Sequence, residues 1–215
     1  MNTTVRILKN IQIALPETEI FLRLGGNLYK TVLDPAAGIR LATVCRRGFS
    51  LCALQGRYGV LPIRELRDDG VVTAEEGFLQ LGRVFTAQLA EAGAAMLWFG
   101  AVTAGSAVTD ARDNAESTAD KAILDAVASE CADAAMDFMT GIAARELLVQ
   151  GSVLAAKRFS PGYGDMPLDI QHFFYNTLDM ADMGVAINDN CFLTPEKSVT
   201  AFAAVNRLQT ESMTI

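Results

Sequence analysis

Residues 94–103 form a continuous apolar run of ten, which predicts a buried central strand. It ends at Gly105, where a polar helix is expected to begin. Residues 117–150 carry the longest helical pattern. There Leu124, Val127, Ala128, Cys131, Ala135 and Phe138 share one stripe at i, i+3, i+4, i+7 spacing, the mark of a core-facing helix. Gly141 is expected to break or bend it. Residues 153–159 read as a strand, followed by a glycine-rich loop and a helix from Asp169 to about Leu178. Further strands are expected over residues 184–187 and 199–205.

The N-terminal part is more broken. Val5 to Leu8 and Ile11 to Leu15 read as short strands separated by Lys9-Asn10. Pro16-Glu17-Thr18 opens a short helix that Gly25-Gly26 stops. Asp34-Pro35 fits an N-cap with proline at the first helical position, leading a helix through Cys45. Tyr58 to Leu61 is the best strand between residues 56 and 70. Thr73, with Glu76 three residues on, matches a capping box, and Leu79, Leu81, Val84, Phe85 and Leu89 approximate one helical face after it. Strands and helices do not alternate strictly, so an α+β fold with a largely antiparallel sheet is expected. The whole of 1–215 is expected to be one domain.

Composition narrows the function classes. Of 215 residues, 51% are apolar and 20% charged, as in a globular chain able to bury a substantial core. The net charge is −7, without a basic block, so nucleic acid is not an expected partner. No apolar run reaches the roughly 18 to 20 residues of a membrane span. The opening Met1-Asn2-Thr3-Thr4-Val5-Arg6 lacks a charged segment followed by an apolar one, so secretion is not expected. The four cysteines, Cys45, Cys52, Cys131 and Cys191, show neither C-x-x-C nor metal-ligand spacing and read as buried free thiols of a cytoplasmic protein. The single histidine, His172, has no clustered partner in sequence and reads as structural. No catalytic residue and no metal site are assigned.

One segment reads as a site: Arg158-Phe159-Ser160-Pro161-Gly162-Tyr163-Gly164-Asp165-Met166-Pro167-Leu168. Gly and Pro there sacrifice element stability and let bare peptide groups approach a ligand closely. Arg158 supplies a planar fork suited to a carboxylate, and Tyr163 an aromatic face with a polar tip. The competing reading is a tight turn between a strand and the next helix.

The segment Arg158-x-x-x-Gly162-Tyr163 resembles the signature of the activation domain of cobalamin-dependent methionine synthase, which binds S-adenosylmethionine. The run from Ser160 to Leu168 is similar to small, free-standing bacterial relatives of that domain. Downstream, Asn188-Asp189-Asn190-Cys191-Phe192-Leu193-Thr194-Pro195-Glu196-Lys197-Ser198-Val199-Thr200-Ala201-Phe202 resembles the family's closing strand. With weaker likenesses at residues 101–105 and 123–138, the resemblance spans roughly residues 75 to 205 and leaves the N-terminal third unmatched.

The resemblance implies a ligand and a set of contacts. Arg158 would bind the carboxylate of S-adenosylmethionine, and Ser160 and Gly162 would offer the loop backbone to the adenine edge. Tyr163 would stack or approach the sulfonium. Glu130 and Asp133, on the long helix, are candidates for the ammonium, and Phe202 for a wall of the site. Asp165 is equally suited to cap the helix that follows it. In the family an electron donor such as flavodoxin reduces cob(II)alamin, and S-adenosylmethionine methylates the reduced corrinoid. This chain has no Asp-x-His-x-x-Gly motif, so cobalamin would come only in trans, on a separate methionine synthase or corrinoid protein. The alternative is a non-catalytic module that docks on a corrinoid protein or senses S-adenosylmethionine. An ordinary methyltransferase finds no support, because no G-x-G-x-G loop follows an early strand.

Overall fold

β5 (Met96–Thr103) lies in the middle of a seven-stranded antiparallel sheet, between β2 (Gln55–Arg67) and β9 (Ser198–Arg207) in a computed structural model that describes residues 4–208. Met1 to Thr3, part of the opening segment read above, lie outside the described residues. The sheet order is β4 (Gly77–Gln80), β3 (Gly70–Thr73), β2, β5, β9, β6 (Ser152–Phe159). β1 (Arg6–Leu8) pairs with the first part of β2, through Arg6 opposite Tyr58. A separate two-stranded ribbon joins β7 (Ala186–Ile187) to β8 (Leu193–Thr194).

The apolar run is buried on both faces because helices cover both. Strand alternation sends Trp98 and Val102 to one side with Ala201, Ala203 and Val205 of β9, and Leu97, Phe99 and Ala101 to the other with Phe202 and Ala204. The first side is packed by the 32-residue helix α5 (Thr118–Val149), together with α1 (Glu17–Arg23), α2 (Pro35–Leu51) and α4 (Ala107–Asp113). The second is packed by α3 (Arg83–Glu91), α6 (Gln171–Thr177) and the short turns beside α6. Phe99, Phe173, Phe174 and Phe202 form an aromatic cluster there, with Phe174 and Phe202 centroids 4.4 Å apart. The architecture is α+β with an antiparallel sheet.

Several elements follow from local chemistry. The Asp34 carboxylate accepts from Ala36 N at 2.9 Å and Ala37 N at 3.1 Å, capping α2 behind Pro35. Ser117 caps α5 and also receives a 2.6 Å bond from Arg40 Nη2, which ties α2 to the start of α5. Arg57, only 4% exposed, donates to the carbonyls of Leu178 at 3.0 Å and Asp179 at 2.9 Å and pairs with Asp182. It fixes the segment after α6 to the sheet.

Four expectations are corrected. Residues 11–15 form no strand; Ile11 N reaches Leu54 O, but Asn10 at φ 55 turns the chain away from continued pairing. Thr73 Oγ1 does accept from Glu76 N at 3.1 Å, yet the bond closes the turn between β3 and β4 rather than starting a helix. α5 runs unbroken through Gly141, whose exposed position costs roughly 1 kcal/mol of propensity against the packing of a long helix. Cys45 and Cys131 are buried free thiols, but Cys52 and Cys191 are only half-buried. Among the described residues, no helix is long and apolar enough to cross a membrane.

Candidate functional site

The cleft of interest opens where the end of β6 and the start of β9 meet α5 on one side of the sheet and α6 on the other. Its volume is about 500 Å³, and its lining includes Asp133, Arg158, Ser160, Pro161, Tyr163, Gln171 and Thr200. β6 carries a bulge between the pairs Leu154–Val205 and Arg158–Ala203, an irregularity typical of strands that re-aim a side chain beside a site. Beyond it, Arg158 faces α5. Phe159 drops to the other face, with its ring centroid 4.4 Å from that of Phe85. The strand end is thus pinned by an aromatic while its neighbour is presented to the cleft.

The loop after β6 folds on itself. Gly162 N donates to Met166 O at 3.1 Å, Tyr163 N to Ser160 O at 3.2 Å, and Met166 is buried at 4% exposure. Gly162 and Gly164 have φ of +82 and +63, which β-carbon-bearing residues reach only with strain. A Cβ on Gly162 would also come within 3.2 Å of Leu168 Cδ1. Asp165 is a helix cap, but not of the helix that follows it. Its carboxylate accepts from Arg83 N at 2.6 Å and from Val84 N at 3.3 Å, at the start of α3. Sequence distance hid this partner. Gly82, before α3, has φ +78 and no side chain to cap with, and a Cβ there would meet Asp165 Oδ1 at 2.6 Å.

Arg158 Nη2 lies 2.6 Å from Asp137 Oδ1, and Nη1 donates to Thr140 Oγ1 at 3.0 Å. The guanidinium is therefore already oriented by α5. Asp133, one turn earlier, lines the same cleft with its side chain half-exposed. Burial, and then the neighbouring Glu130, push the Asp133 carboxyl above its ordinary value, against the pull of Arg23 and Arg158. Glu130, with its side chain only 14% exposed, is hydrogen-bonded by Arg23 Nε, and Arg23 Nη2 lies 3.5 Å from Asp133 Oδ2. On the α6 side, Thr200 Oγ1 donates to Gln171 Oε1 at 2.8 Å, which fixes the amide and leaves its NH2 as a donor. Ser198, at the start of β9, donates to Pro195 O at 2.7 Å and lies 2.9 Å from Thr103 Oγ1.

Arg158, Ser160, Tyr163 and Asp133 thus come together around one cleft. Gly162 shapes the loop beside it without lining it, and Tyr163 stands at the mouth, 76% exposed. Glu130 lies on the same helix face, behind Arg23. Phe202 does not reach the cleft: it is fully buried beneath it, because alternation along β9 sends it into the aromatic cluster. His172 Nε2 lies 3.5 Å from Cys191 Sγ and is outside the cleft lining. Asp137, Thr140, Gln171 and Thr200 were not picked out from the sequence. Glu130, Asp133, Asp137 and Thr140 recur at i, i+3, i+7, i+10, a polar stripe along one face of α5, and that stripe was the available signal for Asp137 and Thr140.

Chemically, the cleft sets a cationic fork and an acidic group a short distance apart, as a receptor for a zwitterionic amino-acid group would. Amide, hydroxyl and loop-backbone groups lie beside them. No family model matches this chain, and no curated protein matches it. Its structure is similar to a crystal structure of the MetH reactivation domain bound to AdoHcy. The TM-score is 0.60 at 15% sequence identity, over 94% of this chain and 78% of that chain. At 94% coverage the likeness takes in most of the N-terminal third, whose sequence carried no resemblance. The fold of this chain is that of the MetH reactivation domain.

Proposed function

We propose that this protein binds S-adenosylmethionine in the 158–165 cleft and serves as a stand-alone reactivation module for a corrinoid carried by another protein. The observation that supports it most is the convergence of Arg158, Asp133 and the glycine loop on one cleft, in a fold shared with a domain that was crystallised with AdoHcy. Arg158 would take the ligand carboxylate bidentately, and Asp133 its ammonium. The Gln171 amide and the peptide groups of Ser160 and Pro161 would take the adenine edge. Tyr163 would cover the open side, where cation–π attraction to a sulfonium is worth about 1 kcal/mol at an exposed position.

Such a module needs no general base. The reduced corrinoid is the nucleophile and arrives as substrate on the partner, so the protein's task is to hold the sulfonium methyl in line. Positioning of this kind can lower a barrier by several kcal/mol. The partner would be a cobalamin-dependent methionine synthase or a corrinoid protein, with reducing equivalents from a donor such as flavodoxin. The test is reconstitution. A methionine synthase lacking its own activation domain, held as cob(II)alamin, should return to methylcobalamin when this protein, S-adenosylmethionine and a reductant are added. No return, with binding of S-adenosylmethionine intact, would leave a sensing or docking module in its place.

A further inference from the structure

Both charged poles of the cleft are matched by side chains of the protein itself. Asp137, with its side chain 70% exposed, sits 2.6 Å from Arg158 Nη2, where a ligand carboxylate would sit. Arg23, 44% exposed, faces Glu130 and Asp133, where an ammonium would sit. Arg23 comes from the last turn of α1, in the N-terminal part of the chain; it does not itself line the cleft but reaches Asp133, which does. Releasing the Arg23 side chain need not unseat α1. α1 is held independently by Ile20, 1% exposed in the core against α5, and the chain turns away at once after Arg23 through Gly25 at φ +85.

We propose that Arg23 is a built-in occupant of the ammonium position and a specificity-determining residue of the cleft. This rests on the functional reading above. A ligand carrying a cationic amino group exchanges one cation for another at Glu130 and Asp133, and its carboxylate exchanges with Asp137 at Arg158. A nucleoside without the amino-acid tail has nothing to put in place of either side chain and must bind beside two intact ion pairs. Arg23 therefore weakens every ligand that must displace it and leaves tail-less nucleosides untouched.

The test is isothermal titration of AdoHcy and of 5′-methylthioadenosine, which lacks the amino-acid tail, into wild type and Arg23→Gln. A partly exposed ion pair of this kind is worth at most a few-fold in affinity, so Arg23→Gln should bind AdoHcy about 3- to 5-fold more tightly, with methylthioadenosine unchanged. Amide exchange at residues 23–26 of the wild type should quicken when AdoHcy is added. AdoHcy affinity that is unchanged or weaker in Arg23→Gln, or an equal gain for methylthioadenosine, would overturn the inference while the functional reading stands. Wild type that binds no AdoHcy would overturn both.

Discussion

Arg158 reaches the cleft through a bulge, a half-buried aromatic neighbour and two α5 contacts, and each of these can be weakened separately. Asp165 holds the far side of the loop by capping α3. Loss of a cap costs about 1 kcal/mol, so Asp165→Ala should lower the denaturation midpoint accordingly and Asp165→Asn much less. Urea titration of both variants checks this. Asp133 supplies a pH dependence. Burial and Glu130 raise its folded-state pKa, and only the ionised form attracts an ammonium. Affinity for S-adenosylmethionine should therefore fall as pH is lowered, starting above the usual carboxylate range, and Asp133→Asn should remove that dependence. Stability runs the other way: a raised carboxyl pKa means the native state holds the proton more tightly than the unfolded one. Whatever Asp133 costs at neutral pH is relieved as pH drops through its folded pKa. Titrations over a pH series with both proteins measure the two effects together.

The helices and strands whose patterns were long were legible in the sequence: β5 from its apolar run, α5 from its stripe, β6 and its loop from the Gly-Pro cluster. Element starts set by a distant partner were not. α3 is capped by Asp165, 82 residues beyond Arg83, and the Thr73–Glu76 bond has the same local geometry in a hairpin turn as in a capping box. The fit of α5 to the sheet was equally invisible, because it depends on two strand glycines. A Cβ at Gly100 would lie 2.6 Å from Trp98 Cη2 and 2.8 Å from Met139 Cε, and one at Gly56 2.8 Å from Met139 Sδ. Gly100→Val should overpack this contact and cost about 1 to 3 kcal/mol. Trp98, the single tryptophan of the chain, would report the repacking by its fluorescence. An unchanged midpoint with an unchanged spectrum would show that α5 is looser on the sheet than these distances require.

For the whole molecule, the sheet is sandwiched by two helical layers, and the cleft forms at its end, where both layers meet the loop. That placement explains why the site residues come from separated segments: Asp133 and Asp137 from α5, Arg158 to Tyr163 from β6 and its loop, Gln171 from α6 and Thr200 from β9. Arg158, Ser160, Tyr163 and Asp133, named from contiguous loop and helix motifs, do line one cleft. Phe202 was misplaced because the face a strand residue takes is set by its pairing partners, here Phe99 opposite Phe202. The central claim is that this cleft binds the amino-acid end of S-adenosylmethionine through Arg158. Titration of AdoHcy into wild type and Arg158→Ala measures it most directly. Binding should be one to one, and the variant should lose about 1.5 to 3 kcal/mol, roughly 10- to 100-fold, the range for a hydrogen bond to a charged group. Equal affinities in the two proteins, or no binding to wild type, would contradict it.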